Sequence, residues 1–249
     1  MEAKIKYYLE IADNAFILSH RLAENSSHGP YLEEDLACTN TALDLIGMAE
    51  SIYNEAAKMT SEYATGDDLA YRRTEDQYRN CLLVEQPNVD FAHIMVRQFF
   101  MDTFNYYFLV EASNCNDEFL KSVAAKSLKE VTYHIRRSSE WIIRFGKGTQ
   151  ESKLRGQNAI NKLWRYTDEL FVATEESLLL QKSNESVDLE RVKLNWMQKI
   201  NEIFYMAEFK KPDNNFQLYG GKNGIHSENM GFILTDVQFL TNKYPEATW

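Results

Sequence analysis

The sequence predicts an all-helical bundle, and three observations carry that expectation. Apolar residues recur at spacings of three and four over segments of 20 residues or more, the pattern of amphipathic helices. Glycine and proline are scarce, 10 and 4 among 249 residues, which disfavours an architecture built from short strands and turns. The breaks between the periodic segments are short, apart from one long one, as up-and-down helices require.

The first helix is expected over 3–25, with Tyr7, Ile11, Ala15, Leu18 and Leu22 on one face. Ser26 to Pro30 interrupts it. A second helix is expected over 31–59, with Leu32, Leu36, Leu43, Ile46 and Tyr53 as its apolar side. Thr60 to Pro87 is the least regular stretch. A third helix, 89–114, is dense in aromatics, from Phe91 through Phe99, Phe100 and Phe104 to Phe108. The fourth, 117–145, carries Leu120, Ala124, Leu128, Val131, Ile135 and Ile142, and Gly146 and Gly148 are expected to stop it. A long helix over 150–181 and another over 188–209 follow. Residues 212–225 read as a loop rich in Gly and Asn, after which Ser227 is a plausible N-cap for a last helix reaching about 243. No repeat and no linker divides the chain, so a single domain over 1–249 is the expectation. The long link near 60–88 resembles the crossover of a ferritin-type bundle, with the later helices as C-terminal additions.

Composition excludes several functions. The net charge of −10 gives no basic excess to displace the counterions of a nucleic acid. No stretch approaches the roughly 20 apolar residues of a membrane span. Residues 1–20 carry Glu2, Glu10 and Asp13, so no signal-peptide core is present. Cys38, Cys81 and Cys115 are far apart and odd in number, which fits reduced thiols. A cytoplasmic location is the expectation.

A ferritin-like di-iron centre draws a Glu from each of two helices and a Glu-x-x-His pair from each of two others. The three-residue spacing aims both ligands at one metal from one helix face. Three residues before His20, His28, His93, His134 and His226 stand Ile17, Asn25, Asp90, Val131 and Asn223. No Glu-x-x-His exists. Asp90 with His93 is the nearest match, but an Asp at a helix start reads as a charge on the helix N-terminus. His20 with Glu24 and Glu130 with His134 have i, i+4 spacing, and a hydrogen bond explains each as well as a metal does. His134 lies beside Val131 and Ile135 and is expected to face inward. Asp44 and Asp102, flanked by apolar residues, are expected to be buried carboxylates that need partners. Asp44, Asp102, Glu130 and His134 are therefore candidates for a vestigial metal site. Gly220-Gly221-Lys222-Asn223-Gly224 reads as a structural turn before it reads as an anion cradle. No nucleophile motif, Cys-x-x-Cys or phosphate loop appears.

Five segments in order resemble one family: Leu43-Asp-Leu-Ile-Gly-Met-Ala49, Leu82-Leu-Val-Glu-Gln-Pro-Asn88, Lys129-Glu-Val-Thr-Tyr-His-Ile-Arg136, Ala159-Ile-Asn-Lys-Leu-Trp-Arg165 and Gly220-Gly-Lys-Asn-Gly-Ile-His226, with a tail containing Pro245 that ends in Trp249. They resemble the C subunits of bacterial phenylacetyl-CoA epoxidases. The resemblance implies a ferritin-like fold and a place in a multicomponent monooxygenase of aerobic phenylacetate degradation. In that family an A subunit holds the di-iron centre and the acyl-CoA, a reductase subunit delivers electrons from NADPH, and the C subunit is structural. It further implies that metal-ligand places fall at Asp44, Gly47, Val131 and His134, of which Gly47 and Val131 cannot bind metal. The expectation is a chain without cofactor or catalytic residues, joined to the A subunit in a hetero-oligomer and able to form a homodimer when isolated. The alternatives are a self-sufficient di-iron oxygenase and an acyl-CoA-binding module. Residues 212–231, through Gly220, Gly221, Lys222, His226 and Glu228, are expected to dock against the catalytic subunit or a second copy of this chain; the alternative is that they only cap the bundle.

Overall fold

A computed structural model describes residues 1–213 and 216–247. Asn214, Asn215 and Trp249, which belong to the expected loop and tail, lie outside the described residues. The described chain is all-helical, without strands, and consistent with a ferritin-like helical bundle. Its helices are α1 (Glu2–Ala23), α2 (Leu32–Ala57), α3 (Gly66–Tyr71), α4 (Phe91–Ala112), α5 (Glu118–Lys147), α6 (Gln150–Leu163), α7 (Glu175–Gln181), α8 (Leu189–Ala207), α9 (Glu228–Val237) and α10 (Phe239–Lys243). Two compact units are distinguished, one of Met1–Pro87 with Tyr219–Trp249, the other of Asn88–Leu218.

The starts of α3 to α8 follow the side-chain capping rule. Thr65 and Asp68 form a reciprocal capping box on α3. Asp90, Asp117, Thr149, Thr174 and Asp188 accept from backbone N–H groups in the first turns of α4, α5, α6, α7 and α8. Thr174 also explains a correction. The helix expected over 150–181 breaks after Leu163 into 3-10 turns at Trp164–Tyr166 and Asp168–Phe171, and restarts as α7. The Thr167 hydroxyl donates to the Trp164 carbonyl at 2.8 Å, offering the backbone an alternative to the helix. Gly146 does not stop α5, which runs to Lys147. A Cβ at Gly146 would lie 1.8 Å from the Ala207 carbonyl oxygen, so this glycine permits the close approach of α8.

In the first unit α1 packs along α2. The buried side of α2 is Cys38, Ala42, Leu45, Ala49, Ile52 and Tyr53. This corrects the apolar side expected from spacing, because Leu32, Leu36 and Leu43 are 71%, 52% and 62% exposed. Spacing marks a face as apolar without saying what covers it.

The stretch between α2 and α4 is irregular, as expected, yet much of it is buried. Backbone groups there need partners, and α1 supplies them. Asp13 accepts from Arg79 N at 2.7 Å, Asn14 from Cys81 N at 2.9 Å, and Arg21 donates twice to the Glu85 carbonyl, at 3.0 and 2.8 Å. Asp13 is fully buried, forms an ion pair with Arg73 and accepts from the Tyr53 hydroxyl at 2.5 Å. The Arg73 guanidinium also lies over the Tyr78 ring, 4.1 Å from its centroid.

In the second unit α4 packs against α5, α6 and α8. Phe100, Trp164, Trp196 and Phe204 form a contiguous aromatic core, with ring centroids 5.8–6.3 Å apart among neighbours. The Trp196 indole donates to the Phe100 carbonyl at 2.9 Å, so the largest buried ring keeps its polar atom satisfied.

Asp13→Ala removes one half of a buried pair and strands Arg73. It is expected to cost about 3–5 kcal/mol of stability by denaturant titration. Adding Arg73→Met should recover part of that loss, and strict additivity of the two changes would contradict the coupling.

Candidate functional site

The candidate residues fall into three groups, and the structure treats each differently. On α2, Asp44 is half-buried rather than buried, and Gly47 is half-buried with open space where a Cβ would point. Asp44 was expected inside because apolar residues flank it, but Leu43 beside it is exposed. Neither residue lies on the buried stripe of α2.

In the second unit His134 is 3% exposed and Asp102 is 1% exposed, as expected. Gln98 Nε2 donates to Asp102 Oδ1 at 2.6 Å. Burial raises the Asp102 pKa, while the charges of His134 and Arg137 and hydrogen bonds from its neighbours pull the other way. Glu130 is only half-buried. Val131 is buried and offers an isopropyl group where a ligand would be needed.

The remaining histidine pairs have specific geometry. Asp90 caps α4, accepting from His93 N and from His93 Nδ1, both at 2.8 Å. Glu24 is held by Arg21 at 2.9 Å, not by His20. The His20 ring packs edge-on against Phe16, and burial lowers its pKa to about 4.

Gly220, Gly221, Lys222 and His226 sit within the first unit. A Cβ at Gly221 would meet the Asn80 carbonyl oxygen at 2.2 Å, and Gly224 takes φ +77°, so these glycines shape a turn wedged against residues 80–82. Lys222 is 8% exposed and the His226 side chain is fully buried. His226 Nδ1 contacts Glu85 Oε1 at 2.6 Å and Nε2 contacts the Tyr78 carbonyl at 3.1 Å. Glu85, fully buried, also accepts from Asn80 Nδ2 at 2.9 Å, and from Ser227 N and Oγ at 2.8 and 2.6 Å. Ser227 stands at the N-cap position of α9, as expected, while its hydroxyl serves Glu85 rather than the helix. Gly220, Gly221, Lys222 and the His226 side chain are thus packed into the first unit. Glu228 stays exposed.

The Glu85 cluster was missed by the search for metal ligands. The available signal was indirect. Glu85 and His226 each belong to one of the five segments that carry the family resemblance, 141 residues apart, and the structure joins those two segments through this pair.

The positions that the resemblance assigns to ligands include a glycine and a valine. Among the described residues no three His, Cys, Asp or Glu side chains converge as a metal site. No described helix is long and apolar enough to cross a membrane. The three cysteines are buried and none is in a disulfide.

A ferritin-like helical bundle whose buried acids and bases bind one another is the class that fold and site define. The chain belongs to the phenylacetic acid catabolic protein family, whose model matches residues 1–249. It is 38% identical over 243 residues to the C subunit of the 1,2-phenylacetyl-CoA epoxidase of Escherichia coli (strain K12), covering 98% of each chain.

Two histidines set opposite pH slopes. Burial alone would lower the His226 pKa, but its hydrogen bond to Glu85 and that carboxylate's charge outweigh burial and raise it. Its stabilisation is complete below the unfolded value of about 6.5 and is lost as pH rises through the raised folded value. His20 acts in reverse. Its folded pKa of about 4 lies below the unfolded one, so stability falls on acidification from about pH 6.5 to pH 4, by about 3 kcal/mol. His20→Gln should flatten the acid limb of a stability–pH profile, and His226→Gln the limb above pH 6.5. Unchanged limbs in both variants would refute these assignments.

Proposed function

We propose that this chain is a structural component of a phenylacetyl-CoA epoxidase, which binds and steadies a catalytic A subunit that holds the di-iron centre. Electrons would reach that centre from NADPH through a reductase subunit, and this chain would hold no cofactor of its own. One observation carries the reading: buried Val131, one of the implied ligand places, has no donor atom. The likeness to the Escherichia coli epoxidase component over 98% of both chains supports the multicomponent setting.

The physical role follows from what such a site demands. Metal-binding helices must be held to within about 0.5 Å, and a second bundle packed against them supplies that rigidity. Obligate interfaces of this sort commonly bury above about 2,000 Å². The fixed ion pairs of this chain, Asp13 with Arg73 and Glu85 with His226, give it a stiff frame to offer.

The expected result is co-purification of this chain with the co-expressed A subunit, with iron absent from this chain purified alone. About two irons per isolated chain would instead establish a self-sufficient di-iron oxygenase. Saturable binding of phenylacetyl-CoA by the isolated chain, measured by calorimetry, would establish the acyl-CoA-binding reading.

A further inference from the structure

We infer that the outward face of α2 is the seam on which a helix of a partner subunit lies, and that this partner helix is apolar at its centre and cationic at its flanks. The inference deepens the proposed epoxidase role and rests on it.

The face is continuous. Leu36, Asn40, Leu43, Gly47 and Glu50 follow one another at alternating spacings of four and three, and the line ends at Asn54, where Gly66 at the start of α3 packs closely. That alternation keeps one line of residues facing a partner in left-handed helix pairs. From Leu36 to Glu50 it covers roughly 21 Å of helix axis. Leu36 and Leu43 are 52% and 62% exposed, and Asn40, Glu50 and Asn54 are exposed as well. The buried stripe of α2, through Cys38, Ala42, Leu45, Ala49 and Ile52, is a separate line of residues. Two leucines one heptad apart on this outer line are not explained by the core of this chain.

Gly47 is the second and independent observation. Glycine within a helix is less favourable than alanine, so it needs a local reason. At Gly146, Gly156 and Gly221 the reason is internal, since a Cβ would lie 1.8 to 2.5 Å from a neighbouring atom. At Gly47 a Cβ would meet nothing within 4 Å. Nothing close at hand in the chain excludes a side chain there. A helix seated on the seam would exclude one, because a glycine between Leu43 and Glu50 lets two backbones approach. Asn40, one heptad before Gly47, is placed where a polar seam residue fixes the register of a pair.

Charge selects the occupant. The carboxylates of α2 are Glu33, Glu34, Asp35, Asp44, Glu50 and Glu55; Leu32–Ala57 contains no Lys or Arg, and Lys58 just beyond it pairs with Glu55 at 2.8 Å. A second copy laid on the same face would oppose acid to acid, which disfavours pairing. A helix with Lys or Arg beside an apolar stripe would meet complementary charge at the flanks and leucines at the centre.

The test uses the full chain, tagged and co-expressed with the other epoxidase subunits. Wild type that retains no partner defeats the proposed epoxidase role itself, and with it this inference. If wild type retains its partner, Leu36→Glu with Leu43→Glu should weaken retention at least about tenfold while leaving the melting temperature of the isolated chain unchanged. Gly47→Leu should separate the two properties further. It should raise the melting temperature of the isolated chain, because the helix gains a better former in open space, and still weaken partner binding. Retention at wild-type strength in both variants would overturn the inference. So would a lowered melting temperature for Gly47→Leu, which would give the glycine an internal role. Loss of self-association alone, with partner retention intact, would assign the face to a second copy and overturn the cationic-helix assignment.

Discussion

Much of the fold depends on a segment that has little secondary structure of its own. Between α2 and α4 the stretch 80–86 is buried throughout, with only a short 3-10 turn of its own to satisfy its backbone. Peptide groups out of water must be paired, and an unpaired one costs as much as a lost hydrogen bond. In the first unit α1 answers this with side chains. Asp13, Asn14 and Arg21 reach the backbone at Arg79, Cys81 and Glu85. Polar residues on a helix that is otherwise buried nearly all round would be anomalous without this demand. They are the partners of an irregular neighbour.

The two buried ion pairs extend the same logic. Asp13 with Arg73 and Glu85 with His226 each join chain segments that are distant in sequence. Such pairs bring little net stability compared with apolar replacements, but they penalise any arrangement that separates them. Glu85 illustrates this. Its carboxylate takes Asn80, His226 and Ser227, while its carbonyl takes Arg21, so one residue ties the N-terminal helix, the irregular segment and the start of α9 within the first unit.

The helices were legible in the sequence because their signals are local. Apolar spacing and the breaks between periodic segments located α1, α2, α4, α5 and α8 to within a few residues. Breaks set by short-range hydrogen bonding were harder. Thr174-Glu175-Glu176 is a helix start that spacing through Leu170 and Leu178 concealed. The buried state of His134 and Asp102 could be read from their neighbours. The half-burial of Asp44 could not, because the same leucine pattern describes a face covered by its own chain and one left open. The pairing of Glu85 with His226 was beyond local reading, since 141 residues separate them and only their shared membership in the family's motifs connects them.

The thiols have a consequence for the chemistry this chain is proposed to accompany. Oxygen-activating centres leak peroxide, and cysteine is attacked by peroxide as the thiolate. Cys38, Cys81 and Cys115 are 2%, 0% and 2% exposed, and burial raises the Cys115 pKa, keeping that sulfur protonated. A neighbour of such a centre that hides its thiols can sit through many turnovers without acquiring sulfenic acids or stray cross-links.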